Sequence, residues 1–246
     1  MDWTTGLTQL SDCSDLQGAI ALGGDLSPQR VLSAYRCGVF PWPHDSYLLW
    51  FSPDPRVVLI PCQAYVGRSL RKVMAKSPYD ITADQCFEQV VQSCARCERK
   101  DQKSTWINND MIASMTTLHR MGYAHSIEAH CDGQLVGGLY GLCLGGVFFG
   151  ESMFYTAPNA SKICLAILLA QCIVWGIQLM DCQMHTPHVC RFGTQNWTRC
   201  RFESALRQRV DLSTRMGPWD LEVDAVQALR ILQKKDSPFS LSQDTR

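Results

Sequence analysis

The spacing of apolar and polar positions changes several times along the 246-residue chain. Phe87, Val90, Val91 and Cys94 recur at three- and four-residue intervals, which predicts a helix over residues 83–99. Similar spacing between polar caps predicts helices over residues 69–77 and 109–121. From His125 to His130 polar and apolar residues alternate, Asp132-Gly133 supplies a turn, and Gln134-Leu135-Val136 resumes the strand, a β-hairpin signature. Residues 139–144, the turn Gly145-Gly146 and Val147-Phe148-Phe149 extend it as an antiparallel meander. Ile163 to Met180 then runs without a charge between Lys162 and Asp181. A membrane span would need that whole stretch, but two soluble elements account for it better. Asn159-Ala160-Ser161 offers a cap, Ile163, Ala166, Leu169, Ala170 and Ile173 share one helical face, and Gly176 stops the helix. Residues 179–183 follow as a short buried strand. After about Arg207 the pattern is helical again and ends in a polar tail.

The first sixty residues read differently. Pro41, Pro43, Pro53 and Pro55 lie among Phe40, Trp42, Trp50 and Phe51, a density of proline that precludes a long helix and favours rigid turns with short strands. Ser27-Pro28 starts a short helix that ends near Gly38. The expected organisation is a small N-terminal lobe over residues 1–60, a main domain over 61–232 and a polar tail over 233–246. Helices, an antiparallel meander, a helix and then a strand make an α+β order with a largely antiparallel sheet. That order is similar to the acetyltransferase-like (GNAT-type) fold.

Composition narrows the picture. Hydrophobic residues at 46% and charged residues at 19% describe a folded globular chain rather than a disordered one. Lys and Arg balance Asp and Glu at 23 each, so no histone-like field surrounds the molecule. The zero is a sum of opposed segments, with basic excess in residues 61–120 and 181–246. The 13 cysteines are scattered, and Met1-Asp2-Trp3-Thr4-Thr5 has neither a basic nor an apolar leader region, which fits reduced thiols in a cytoplasmic protein. Cys94-x-x-Cys97 lacks a second ligand pair, so no metal is expected.

Three groups of residues carry candidate chemistry. Glu151 closes a charge-free run, and Asp181 with Gln183 places a carboxylate and an amide two apart on an apolar strand. Buried carboxylates need partners, so these three residues mark either a polar site inside the sheet or a pair of structural hydrogen bonds. The glycines from Gly137 to Gly150 form no phosphate-binding motif. They allow sheet bending or the close approach of a ligand. The loop before the helix at residue 160 has no glycine, which argues against coenzyme A as a donor. Arg68, Arg71, Lys72 and Lys76 on one helix, and Arg96, Arg99, Lys100 and Lys103 ending another beside Trp106, suit phosphates and a stacked base, or are solvated helix faces beside a core Trp.

Ten segments taken together resemble the leucyl/phenylalanyl-tRNA–protein transferase family. They are Leu22-Gly23-Gly24-Asp25-Leu26-Ser27-Pro28, Gly38-Val39-Phe40-Pro41-Trp42, Trp50-Phe51-Ser52-Pro53-Asp54-Pro55-Arg56, Arg68-Ser69-Leu70-Arg71-Lys72, Thr105-Trp106-Ile107, His125-Ser126-Ile127-Glu128, Leu135-Val136-Gly137-Gly138-Leu139-Tyr140-Gly141, Gly150-Glu151-Ser152-Met153-Phe154, Asn159-Ala160-Ser161-Lys162 and Asp181-Cys182-Gln183. The resemblance implies transfer of Leu or Phe, with Met as a further donor, from aminoacyl-tRNA to proteins beginning with Arg or Lys. It implies that this marks them for degradation in the bacterial cytoplasm. The ester is already activated, so no cofactor is implied, nor a membrane partner or a second subunit. Asp181 and Gln183 would be the polar pair at the amine, and Glu151 would hold substrate near the reacting centre. Leu139, Phe148, Met153, Leu165 and Met180 would line the aminoacyl pocket, or are simply core residues, or serve both roles. Trp50 and Trp106 would flank the terminal adenosine, with Arg68, Arg71 and Lys72 on the tRNA backbone.

Phe51, His130 and Arg191-Phe192-Gly193 depart from the family pattern, beside the donor site and just after the catalytic strand. Two other readings stand beside this one: a coenzyme-A-dependent N-acyltransferase on the same fold, and a non-catalytic RNA-binding module.

Overall fold

The structure, a computed structural model, describes residues 2–10, 18–43, 47–97 and 106–233. Cys13, the basic run Arg99, Lys100 and Lys103, Thr105 and the tail from residue 234 lie outside the described residues. A four-stranded sheet and the first helix come from the N-terminal part: β1 (Thr8–Gln9), β2 (Ala19–Leu22), α1 (Pro28–Arg36), β3 (Phe40–Pro43) and β4 (Leu48–Phe51), with strand order β1-β2-β4-β3. Pro28 begins α1 with its φ already set for a helix.

The seven-stranded sheet has the order β11-β5-β10-β9-β8-β7-β6. Its strands are β5 (Arg56–Leu59), β6 (Asp80–Ala83), β7 (Ala124–Cys131), β8 (Gln134–Leu144), β9 (Val147–Tyr155), β10 (Leu179–Gln183) and β11 (Gln195–Trp197). Every pairing is antiparallel except β9 with β10. The helices are α2 (Arg68–Met74), α3 (Phe87–Arg96), α4 (Asn109–Arg120), α5 (Ala160–Trp175), α6 (Pro187–Cys190), α7 (Arg199–Arg207) and α8 (Ala225–Gln233). On one face of the sheet α3 and α4 share a core with α1, β3 and β4. On the other face α5 lies against β7, β8 and β9, with α2 and α8 packed on its outer side. That double cover explains why α5 is apolar all round, because sheet and helices enclose it together. Among the described residues no helix is long and apolar enough to cross a membrane.

The hairpin, the meander, α1, α4 and the α5–β10 division stand where the pattern predicts them. Four expectations need correction. The helix predicted over residues 83–99 begins only at Phe87, because residues 80–83 form the edge strand β6 opposite His130 to Ile127. The helix predicted after Arg207 resolves into α7, which ends there, a loop, and then α8. Asn159 caps α5 from a left-handed backbone (φ 66°) without a side-chain cap bond, and its amide oxygen accepts from Lys162 instead. Arg56–Leu59, assigned to the N-terminal lobe, is a strand of the large sheet.

Asp84, just past β6, ties the loop before α8 to the sheet. Its carboxylate accepts from the backbone of Ser126 (2.9 Å) and Trp219 (2.7 Å) and pairs with His125 Nδ1 (2.8 Å). The His125 ring stacks on Trp219 with centroids 3.7 Å apart. On the same strand Glu128 is buried, and burial raises its carboxyl pKa against the opposing bonds from Ser126 and Thr82. Much of the His-Ser-Ile-Glu segment is therefore spent on structure.

Gly137 shows what the missing side chain permits: a β-carbon there would sit 2.5 Å from that of Ala160, where the start of α5 crosses β8. The close approach is that of a helix. Gly137→Ala is expected to lower unfolding free energy by about 1–3 kcal/mol in urea, and Ala160→Gly in the same chain to recover part of that loss. Equal stability of Gly137→Ala and wild type would contradict the packing.

Candidate active site

β9 and β10 pair in parallel only from Leu179↔Val147 to Asp181↔Phe149, although β9 continues to Tyr155 and β10 to Gln183. Two irregularities sit where they part. On β9, Tyr140 pairs with Ser152 and Gly141 with Gly150, so Glu151 is left over as a bulge. On β10 the register against β5 shifts between Asp181 and Gln183, and Gln183 takes φ 61°, a left-handed conformation rare outside glycine. Gln183 Nε2 donates to Glu151 Oε1 at 2.8 Å across the parting.

Two residues not singled out individually in the sequence complete the set. Arg56 on β5 clasps Asp181 with two parallel bonds, Nε to Oδ1 at 2.8 Å and Nη2 to Oδ2 at 2.6 Å, with both side chains removed from solvent. The guanidinium lies between the rings of Phe40 (4.9 Å) and Phe202 (4.5 Å). Tyr35 on α1 donates its hydroxyl to Glu151 Oε1 at 2.7 Å, and Gln183 N–H donates to Asp181 Oδ1 at 2.9 Å. Arg56, Asp181, Gln183, Glu151 and Tyr35 thus form one connected polar network, four elements contributing, on the sheet face shared with α1.

Burial sets the electrostatics. It lifts the Glu151 carboxyl to about 7, against the bonds from Tyr35 and Gln183 and the charge of Arg56, while the charge of Asp181 adds to the rise. The Tyr35 phenol is pushed well above its usual range by burial and then by Glu151, so it remains a donor.

The five expected pocket residues come together. Leu139, Phe148, Leu165 and Met180 are buried in the apolar cluster under α5, with half-buried Met153 against it. Leu139 pairs with Met153, and Phe148 with Met180, across neighbouring strands. They occupy the opposite sheet face from the Arg56 network.

The aromatic expectation needs correction at Trp50. That ring is wholly enclosed, bonded through Nε1 to Gly23 O (3.0 Å) and set against Trp3 (5.8 Å), which leaves no free face for a base. Trp106 instead stacks on half-buried Trp42, with centroids 5.2 Å apart at 23°. Phe40 links this pair to the polar network, because it lies 6.4 Å from Trp42 and also under Arg56. Phe51 packs on both Phe40 and Trp42. On α2, Arg68 and Lys72 are exposed and Arg71 is half-buried.

Residues 58–207 match the family model of leucyl/phenylalanyl-tRNA protein transferase, and residues 24–54 match the model of that family's N-terminal domain. The chain is similar to the leucyl/phenylalanyl-tRNA–protein transferase of Myxococcus xanthus (strain DK1622), 48% identical over 207 residues that cover 84% of this chain and 88% of the relative. The protein of the same name from Teredinibacter turnerae is 47% identical over 197 residues, 80% and 76% of the two chains. That from Nitrosomonas europaea is 48% identical over 203 residues, 82% and 86%.

The raised Glu151 carboxyl has a stability consequence with a definite sign. Between pH 4.5 and about 7 the folded chain holds a proton that the unfolded chain has lost, so this group's contribution falls as pH rises through that window. Glu151→Gln keeps the shape and removes the charge. Its stability relative to wild type should improve across that window by up to about 3 kcal/mol in urea unfolding, and a pH-independent difference would contradict the site. Arg56→Met, which strands the Asp181 carboxylate, should cost about 3–5 kcal/mol, and Asp181→Leu added to it should recover part of that.

Proposed function

The chain belongs to the leucyl/phenylalanyl-tRNA–protein transferase family, and on that premise we propose that it is an aminoacyltransferase moving Leu or Phe from aminoacyl-tRNA to the amino terminus of a protein. The added residue marks the acceptor for degradation. The observation that carries the reading is the Glu151–Gln183 contact where β9 and β10 part, joined through Arg56 and Phe40 to the Trp42–Trp106 pair.

The chemistry asks for positioning, a proton acceptor and stabilisation of a developing oxyanion. An α-amino group near pKa ~7.7–8 supplies a useful neutral fraction at neutral pH. The Trp42–Trp106 stack supports a reading in which the terminal adenosine of the tRNA lies against this pair. Its aminoacyl side chain passes between the parted ends of β9 and β10 to the cluster of Leu139, Phe148, Met153, Leu165 and Met180 on the other face, where two deformable Met side chains suit Leu, Phe and also Met. Gln183 and Glu151 face the amine with Asp181 behind them, held by Arg56, and the Glu151 carboxylate suits an acceptor that begins with Arg or Lys. Exposed Arg68 and Lys72, with Arg71 beside them, follow the tRNA phosphates.

The finer architecture belongs to the same proposal. The parallel β9–β10 pair that parts at its end, with α5 between the two strands in sequence, supports a GNAT-type core that takes in β5 and runs on through residues 61–232. The four-stranded sheet supports a small N-terminal lobe that ends before β5. The enzyme works as a monomer in the cytoplasm. The alternative donor, coenzyme A, finds little room at the start of α5, where Gly137 lies against Ala160 and Ser161.

The test is transfer of labelled Leu, Phe and Met from charged tRNA to an Arg-initiated peptide, with coenzyme A thioesters in a parallel arm. Leu and Phe should transfer from tRNA and acyl groups should not transfer from the thioesters; absence of transfer from tRNA rejects the reading. Trp106→Ala should raise KM for aminoacyl-tRNA about tenfold or more with a smaller change in kcat. Neutralising Arg68 and Lys72 together should flatten the salt dependence of tRNA binding, and an unchanged slope would free α2 of that role.

A further inference from the structure

The two carboxylates beside the parted strands are not equivalent as proton acceptors. Asp181 has committed both oxygens, Oδ1 to Arg56 Nε and the Gln183 backbone, Oδ2 to Arg56 Nη2. To take a proton it must release a guanidinium that is itself buried between two aromatic rings. Among the described residues Glu151 accepts from the side chains of Tyr35 and Gln183, in both cases on Oε1, and neither bond uses Oε2. It stands on the bulge and retains 9% exposure where Asp181 has 0%.

From this asymmetry we infer that Glu151 takes the proton from the attacking amine and returns it to the departing 3′ oxygen of the tRNA, while Asp181 is a positioning residue locked by Arg56. The inference rests on the transferase reading and deepens it. The amine nitrogen forms a C–N bond to the ester carbonyl carbon, and one of its protons passes to the Glu151 carboxylate. The tetrahedral intermediate then collapses, the C–O bond to the ribose breaks, and the same proton passes from Glu151 to the leaving oxygen. The carboxylate ends as it began, and the net result is one proton moved from nitrogen to oxygen. A carboxyl lifted by burial to about 7 is matched to this double duty, because its acid and base forms are both accessible at neutral pH. The groups that face it are Tyr35 from α1, Asp181 and Gln183 from β10 and Arg56 from β5. Gln183, with its strained backbone, aims its amide at Glu151 and so fixes which way that carboxylate points.

The test is single-turnover transfer of Phe from an enzyme–Phe-tRNA complex to a saturating Arg-initiated peptide, followed across the neutral pH range. The acceptor amine contributes an inflection common to all variants. Wild type should show a second, with the rate rising as Glu151 loses its proton. Glu151→Gln should abolish that inflection and slow transfer about a hundredfold or more, while Phe-tRNA binding is retained. Tyr35→Phe removes a bond that favours the ionised carboxylate, so it should move the inflection to higher pH. Asp181→Asn should slow transfer and leave the inflection where it is. An inflection that survives Glu151→Gln, fails to move in Tyr35→Phe or disappears in Asp181→Asn overturns the assignment. A wild-type enzyme that transfers nothing rejects the transferase reading itself.

Discussion

Two opposite charges withdrawn completely from water each lose several kcal/mol of hydration, and only their mutual geometry can offset that loss. Arg56 and Asp181 meet the condition with two parallel bonds between β5 and β10, and Phe40 and Phe202 close the guanidinium from either side. The pair therefore fixes more than its own two strands. Phe40 belongs to the four-stranded sheet and Phe202 to α7, so elements from both ends of the chain converge on one buried cation. Moving any of them uncovers a charge that is otherwise shut away from water.

The site inherits its rigidity from that pair. With Asp181 held, the next turn of backbone is held too, because the Gln183 N–H bonds to the same carboxylate oxygen as Arg56 Nε. The left-handed backbone at Gln183 then directs its amide across to Glu151, which Tyr35 holds from above. Strain in the backbone and a carboxyl that burial inclines to keep its proton are both tolerable here because the surrounding packing over-determines the geometry. One set of contacts thus orients the Glu151 carboxylate, leaves one of its oxygens outside these bonds and connects through Phe40 to the stacked Trp42–Trp106 pair.

Local pattern made much of this legible. Hairpin turns, a helix stop at Gly176 and three- and four-residue spacings located α1, α4, α5 and the meander, because those signals act within a few residues. Edge strand β6 escaped because its four residues, Asp80 to Ala83, have one neighbour and no distinctive alternation. The polar site was half legible. Glu151, Asp181 and Gln183 stood out as polar groups in apolar strands, but their partners Tyr35 and Arg56 lie 116 and 125 residues away in sequence, beyond the reach of any local rule. Trp50, expected beside Trp106 at the adenosine, is misplaced for a different reason. In the β3–β4 ladder Trp42 faces Leu49 while Trp50 faces Pro41, so the two indoles project from opposite sides of the small sheet. Strand alternation through Phe40 and Trp42, set against Leu49 and Phe51, was the signal that could have separated them.

The double cover of α5 has a consequence for how the chain is made. This helix is apolar on every side, yet the element that closes its outer face, α8, is among the last parts of the described chain to leave the ribosome. Until then the nascent polypeptide carries a greasy rod seated on the meander with part of its surface bare, a state prone to association with other unfinished chains. Chain termination ahead of Ala225 would freeze that state, so even a product retaining every residue of the polar network would be a substrate for chaperones and proteases before it could be a catalyst.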